Sequence, residues 1–186
     1  MVRDSRERMV ASAAALIGSR GVSATSFSEV LELSGAPRGS IYHHFPQGKR
    51  QLVHDALERT ARQVREYQRS CTATTAAGVL DHFVGLFHRT LLASRCRAGC
   101  PVAGVVIDGD AYDAALNEVV RTSFRSWTTL LTRQLVAVGV PRRRAHALAI
   151  TALASVEGAL ILCRAEGTLA PLRLVATELR RSASAT

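Results

Sequence analysis

Aromatic side chains are scarce in this 186-residue chain, at 5%, and there are only four cysteines, Cys71, Cys96, Cys100 and Cys163. The first scarcity leaves the 47% apolar fraction to pack as aliphatic helices rather than around large rings. The second excludes a secreted disulfide scaffold, because four thiols so scattered cannot form its framework. No uninterrupted apolar run reaches the ~18 residues of a membrane span. The opening residues, Met-Val-Arg-Asp-Ser-Arg-Glu-Arg, lack the apolar stretch of a signal peptide. These absences predict a cytoplasmic protein with no membrane partner. Alternating strand patterns are rare too, and alanine- and leucine-rich helical spacing predicts an all-α fold of about nine helices.

Recognisable reaction chemistry is also missing. The chain has no glycine loop of the kind that cradles phosphate and no nucleophile–base pair at usable spacing, so no enzyme is expected. Cys96 and Cys100, with His82 and His88 upstream, fit no familiar zinc spacing. Asp108, Asp110 and Asp113 form a loose acidic cluster that lacks the remaining ligands of a calcium loop, and helix capping is their expected job. Neither a metal nor a cofactor is expected. The alternative is thiol chemistry: Arg95 and Arg97 can lower a thiol pKa at Cys96 or Cys100, as in a redox-sensing regulator or a thiol enzyme.

What the chain has in excess is positive charge, +9 with a pI near 10.6, which suits a polyanionic partner. The basic residues run along the whole sequence, so charge supports such a partner without locating it. Residues 24–53 locate it. Ser26 followed by Glu29 is a capping box that starts a helix at Phe27. Phe27, Val30, Leu31 and Leu33 form its apolar side, and Ser34-Gly35 ends it. Pro37 then sits where a first helical residue is expected, since its missing N–H costs nothing there. Ile41 and Phe45, four apart, face inward, while Arg38, Ser40, Tyr42 and His44 face out. Pro46-Gln47-Gly48 stops this second helix, and Lys49 opens the next. A cation at a helix start is mildly unfavourable to the dipole, and a nearby phosphate would explain it. Two very short helices around a tight turn, the second studded with hydrogen-bond donors, suit a helix-turn-helix that reads DNA. An ordinary surface αα-hairpin is the plain alternative.

Arg38, Gly39, Ser40, Ile41, Tyr42, His43, His44, Phe45 and Lys49 occupy the positions that are basic, glycine, hydroxyl, aliphatic, tyrosine, aromatic or histidine, histidine, phenylalanine and lysine in the recognition segment of the TetR family. The stretch resembles the DNA-binding domain of these bacterial transcriptional regulators over roughly the first quarter of the chain. The weaker segment Gly99-Cys100-Pro101-Val102-Ala103 resembles a branch related to multidrug- and lincomycin-resistance repressors. Pro37 departs from the pattern, since many members carry a serine or similar cap there. The resemblance implies a DNA-binding head at residues 1–48, an effector-binding and dimerising body at residues 49–186, and a homodimer on a palindromic operator. Within it, Arg38 is the candidate for base-edge contact, and Gly39 lets the backbone approach the groove. Ser40, Tyr42, His43, His44 and Lys49 hold phosphates, with Thr25 and Ser26 as further donors.

In the rest of the chain, helical spacing predicts a first helix from about Asp4 to Arg20 and a fourth from near Gly48 to Ser70. The head thus ends inside a helix that can carry movement. Further helices are expected at about Ala76–Ala93, Tyr112–Val138, Pro141–Ala165 and Ala170–Arg181, with a disordered tail from Ser182. Arg142-Arg143-Arg144 reads as a solvated face. Phe83, Phe87, Val106, Phe124, Trp127 and Leu131 are candidates to line a cavity for a small apolar effector, or are simply core. His88, Glu157 and Arg164 are its possible polar anchors. In the last two helices, Ala152, Val156, Ala159, Leu160, Leu172, Val175 and Leu179 are the candidate dimer interface, the alternative again being the back of the core.

Overall fold

A computed structural model describes residues 2–108 and 114–184, the side chains of residues 2–4 excepted. Among the described residues there are nine helices and no strands: α1 Val2–Arg20, α2 Phe27–Ser34, α3 Ser40–His44, α4 Lys49–Arg69, α5 Ala76–Ala93, α6 Pro101–Ile107, α7 Ala114–Ala137, α8 Arg142–Glu166 and α9 Ala170–Ser184. The all-α expectation holds. The chain forms two compact units, Met1–Arg62 with Cys100–Ser123, and Gln63–Gly99 with Phe124–Thr186.

In the first unit, α1 packs against α2, α3 and α6. Its predicted inner face, Met9, Ala13, Leu16 and Ile17, is buried, and so are Val30, Ile41, Phe45, Leu52, Val53, Val102 and Val105. Gly21 ends α1 at φ +84°, a left-handed turn that favours glycine, and its N–H donates to the Ile17 carbonyl at 2.8 Å. Gly104 lets α6 come close: a Cβ there would stand 3.1 Å from the Ile17 carbonyl oxygen. The expected inner side of α2 needs correcting, because Leu33 is 57% exposed and Leu31 only half-buried. A helix of eight residues has room for one buried stripe, and Val30 occupies it.

In the second unit, α5, α8 and α9 pack on one another. The α5 stripe Leu80, Phe83, Val84, Phe87 and Leu91 is buried as its spacing predicts. Gln68 is buried as well. Its side-chain amide donates to the Trp127 main-chain carbonyl at 3.1 Å, and its main-chain carbonyl accepts from the Gln134 side-chain amide at 2.5 Å. α8 ends at Gly167, in the left-handed region at φ +65°. The helix is long and apolar enough to cross a membrane, with an 18-residue window of mean hydropathy 1.7 that is 39% buried. This amends the expectation of no span-length segment. His146, Thr151 and Ser155 interrupt every apolar run, yet Glu157 is the only Asp, Glu, Lys or Arg between Ala145 and Cys163. The disordered tail expected from Ser182 is corrected for residues 182–184, where α9 continues, while residues 185 and 186 lie outside the described residues. Asp110, Tyr112 and Asp113 lie outside the described residues.

Candidate nucleic-acid interface

Local chemistry builds the head. Ser26 caps α2: its hydroxyl accepts the Glu29 N–H at 3.3 Å, while the Glu29 carboxylate accepts the Ser26 N–H at 3.0 Å. Arg20 pairs with the same carboxylate at 2.6 Å. Hydrogen bonds from Ser26 and the nearby Arg20 charge hold the Glu29 carboxyl below its ordinary value. Gly35 closes α2 in the left-handed region at φ +63°. Pro37 lies one turn ahead of α3 rather than inside it. Its carbonyl accepts both the Ser40 N–H at 3.0 Å and the Ser40 hydroxyl at 2.6 Å, so the Ser40 side chain reinforces the helix start. Ile41 and Phe45, both essentially buried, anchor the five-residue α3.

That anchoring leaves Arg38, Gly39, Tyr42 and His43 exposed on one side, with Ser40 and His44 half-buried beside them. Tyr42 is 70% exposed, yet its ring is fixed edge-on to Phe27 at 5.8 Å. Gly39 has φ −71° and ψ −17°, a conformation open to any residue, and a Cβ added there meets nothing within 4 Å. The fold itself does not require glycine at this position. Lys49 opens α4, its ammonium 3.4 Å from the Ser23 carbonyl. Thr25, expected to donate to phosphate, is corrected. It is buried, and its hydroxyl donates to the Gly21 carbonyl at 2.7 Å, turned inward by the loop that follows α1.

The fold brings one further residue to this end from far along the chain. Asp108, at the end of α6, accepts the Ser23 N–H at 2.6 Å. Its partner is 85 positions away in sequence, so no local pattern signals the contact.

Among the candidate effector residues, Phe83, Phe87, Trp127 and Leu131 are buried and Phe124 is half-buried. Phe83 meets Phe87, and Phe124 meets Trp127, edge-on at 5.4 and 5.5 Å. Val106 is corrected: it is 56% exposed in the first unit and does not line an apolar interior. An open cleft of about 370 Å³ lies between α5 and α9, lined by Asp81, Val84, Gly85, His88, Leu172 and Arg180 among others.

The candidate interface residues Ala152, Val156, Ala159, Leu160, Leu172 and Leu179 are all buried within their own unit, and Val175 is half-buried. The six buried residues belong to the core that α5, α8 and α9 share, and Val175 alone of the seven keeps appreciable surface. The apolar groups on the outer side of α8 are Ile150, Ile161 and Leu162, 47–55% exposed, with Leu174 of α9 at 68%.

Cys96 and Cys100 are both buried free thiols, which leaves neither open at the surface to an oxidant or substrate. Burial also pushes the Cys163 thiol up from its ordinary value. Among the described residues no group of three or more His, Cys, Asp or Glu is placed to hold a metal ion.

Known proteins share this architecture. Residues 10–56 match the family of bacterial regulatory proteins named after TetR, and residues 76–178 match the C-terminal domain of LmrA/YxaF-like transcriptional regulators. An uncharacterized HTH-type transcriptional regulator of Mycobacterium tuberculosis (strain CDC 1551 / Oshkosh) is 41% identical over 180 residues, 94% of this chain and 92% of that protein. The HTH-type transcriptional regulator LmrA of Bacillus subtilis is 26% identical, with 91% of each chain covered. The crystal structure of a TetR transcriptional regulator from Chloroflexus aurantiacus covers 100% of this chain and 96% of its own, with a TM-score of 0.80 at 30% identity. With its head, its body and its overall sequence all matched, the chain is a member of the TetR family of transcriptional regulators, and its N-terminal helix-turn-helix is a DNA-binding domain.

Proposed function

We propose that this regulator binds a palindromic operator as a homodimer in the cytoplasm, represses transcription there, and is released by a small apolar effector. The observation that carries the reading is the outward side of α3. Two buried anchors, Ile41 and Phe45, fix a helix too short to be stable alone, and its exposed side offers Arg38, Gly39, Tyr42 and His43. Arg38 contacts a base edge, where a guanidinium is bidentate to guanine. Ser26, Ser40, Tyr42, His43, His44 and Lys49 hold phosphates and so fix register without reading sequence.

One short reading helix gives little affinity, and two copies on a two-fold axis overcome this by meeting half-sites about 34–36 Å apart or a multiple of it. The outer face of α8 supports the pairing. Ala147, Ile150, Ala154, Gly158, Ile161 and Ala165 recur there at helical spacing and are all exposed, a mixture of small and large groups that lets helices approach closely. In this reading residues 1–48 are the head and residues 49–186 the body. The effector lodges among Phe83, Phe87, Phe124, Trp127 and Leu131, and it must prefer the DNA-incompetent state to cause release.

Footprinting on the DNA flanking its own gene, with and without candidate apolar compounds, tests the proposal. A protected two-fold symmetric site that a compound abolishes is the expected result. Protection of a lone half-site, or none at low salt, overturns it.

A further inference from the structure

Within the first unit Asp108 meets the DNA-binding end at Ser23 and at Gly21, and through Ser23 it is linked to Lys49. Its carboxylate accepts the Ser23 backbone N–H at 2.6 Å. It also lies against Gly21, where a Cβ would come within 3.0 Å of its Oδ1, so the left-handed glycine that ends α1 leaves the space it fills. The other side of the Ser23 residue faces Lys49, whose ammonium donates to the Ser23 carbonyl at 3.4 Å. Ser23 is therefore held through its N–H by an acid from α6 and through its carbonyl by a base from α4. The Ser23 N–H, and less strongly the Lys49 charge, keep the Asp108 carboxyl below its ordinary value, so it is ionised wherever the protein works.

A carboxylate whose charge is felt by Lys49 also repels a phosphate approaching that lysine. We propose that Asp108 is a positioning residue that restrains DNA binding: it pins the Ser23 peptide on which Lys49 rests, and its charge competes with the DNA backbone for the Lys49 ammonium. The inference rests on the phosphate-contacting role of Lys49 proposed above. It assigns a negative side chain outside the helix-turn-helix a direct part in setting affinity for every duplex, independent of sequence.

Asp108→Asn separates charge from geometry, because the amide oxygen still accepts the Ser23 N–H. Asp108→Asn, Lys49→Met and the double variant are titrated with the duplex flanking the chain's own gene and with an unrelated duplex, at several salt concentrations. Asp108→Asn should bind both duplexes about twofold to fivefold more tightly, the scale of an exposed ion pair, with a steeper salt dependence. Lys49→Met should weaken both alike and cancel the gain in the double variant. Hydrogen exchange of the Ser23 amide, slow in the wild type and Asp108→Asn but fast in Asp108→Ala, reports the pinning directly. Asp108→Asn binding that is unchanged or weaker, or a gain that survives in the Lys49→Met background, overturns the restraint while leaving Lys49 a phosphate contact. If Lys49→Met changes neither affinity nor salt dependence, both readings fall.

Discussion

Gly39 and Arg38 separate what the fold needs from what binding needs. An ordinary right-handed backbone and open space around a built Cβ mean that Gly39→Ala should leave the Tm unchanged or slightly raised. The same methyl stands where a duplex must approach, so duplex affinity should fall about tenfold, ~1.4 kcal/mol, when thermal unfolding and fluorescence anisotropy are compared. Arg38→Ala should act differently. A loss of about 1–3 kcal/mol of discrimination, confined to one base pair, is expected in competition with operator variants. The identities of these residues were readable because the recognition segment is a contiguous run of side chains. The inward turn of the Thr25 hydroxyl was not, because it depends on the left-handed Gly21 that brings a carbonyl to within 2.7 Å.

Among the elements, α2 and α3 show how short helices persist. The capping box of α2 depends on an ionised Glu29, whose folded-state pKa is lowered from 4.5 by its bonds to Ser26 and by Arg20. A depressed carboxylate adds stability that is fully present above its unfolded value and is lost as pH falls through the lower folded one. The Tm difference between wild type and Glu29→Gln should therefore be present at pH 6, shrink as pH falls below 4.5 and vanish only below the lower folded-state value, as measured by thermal melts across pH. α3 depends on burial instead. Ile41→Ala should destabilise the chain by about 2–5 kcal/mol in denaturant titrations, because it opens a cavity under the reading helix. Both helices were legible from caps and glycines, whose partners lie within four residues. Pro37 by its type predicts a start one turn earlier than α3 has, because its carbonyl, rather than its ring, organises that turn.

For the whole molecule, the two faces of α8 make opposite predictions. Val156 is buried within the chain and Ile161 is 55% exposed, five positions apart on one helix. Ile161→Arg should leave the secondary structure and core intact yet yield monomers in sedimentation and abolish footprinting of a full palindrome, whereas Val156→Arg should unfold the chain. The helix pattern of α8 was readable, but its facing was not. It is apolar nearly all round, so periodicity marks no unique inner side, and Ala152, Val156 and Leu160, which suit a partner's face by spacing, sit in the chain's own core. The sequence by itself determined the helical class, the caps and stops of the head and the set of donors on the reading helix, because those follow from interactions between near neighbours. Only the tertiary structure decided which side of α8 faces inward, that Val106 faces out, and that Asp108 grips Ser23, because each depends on helices far apart in sequence packing together.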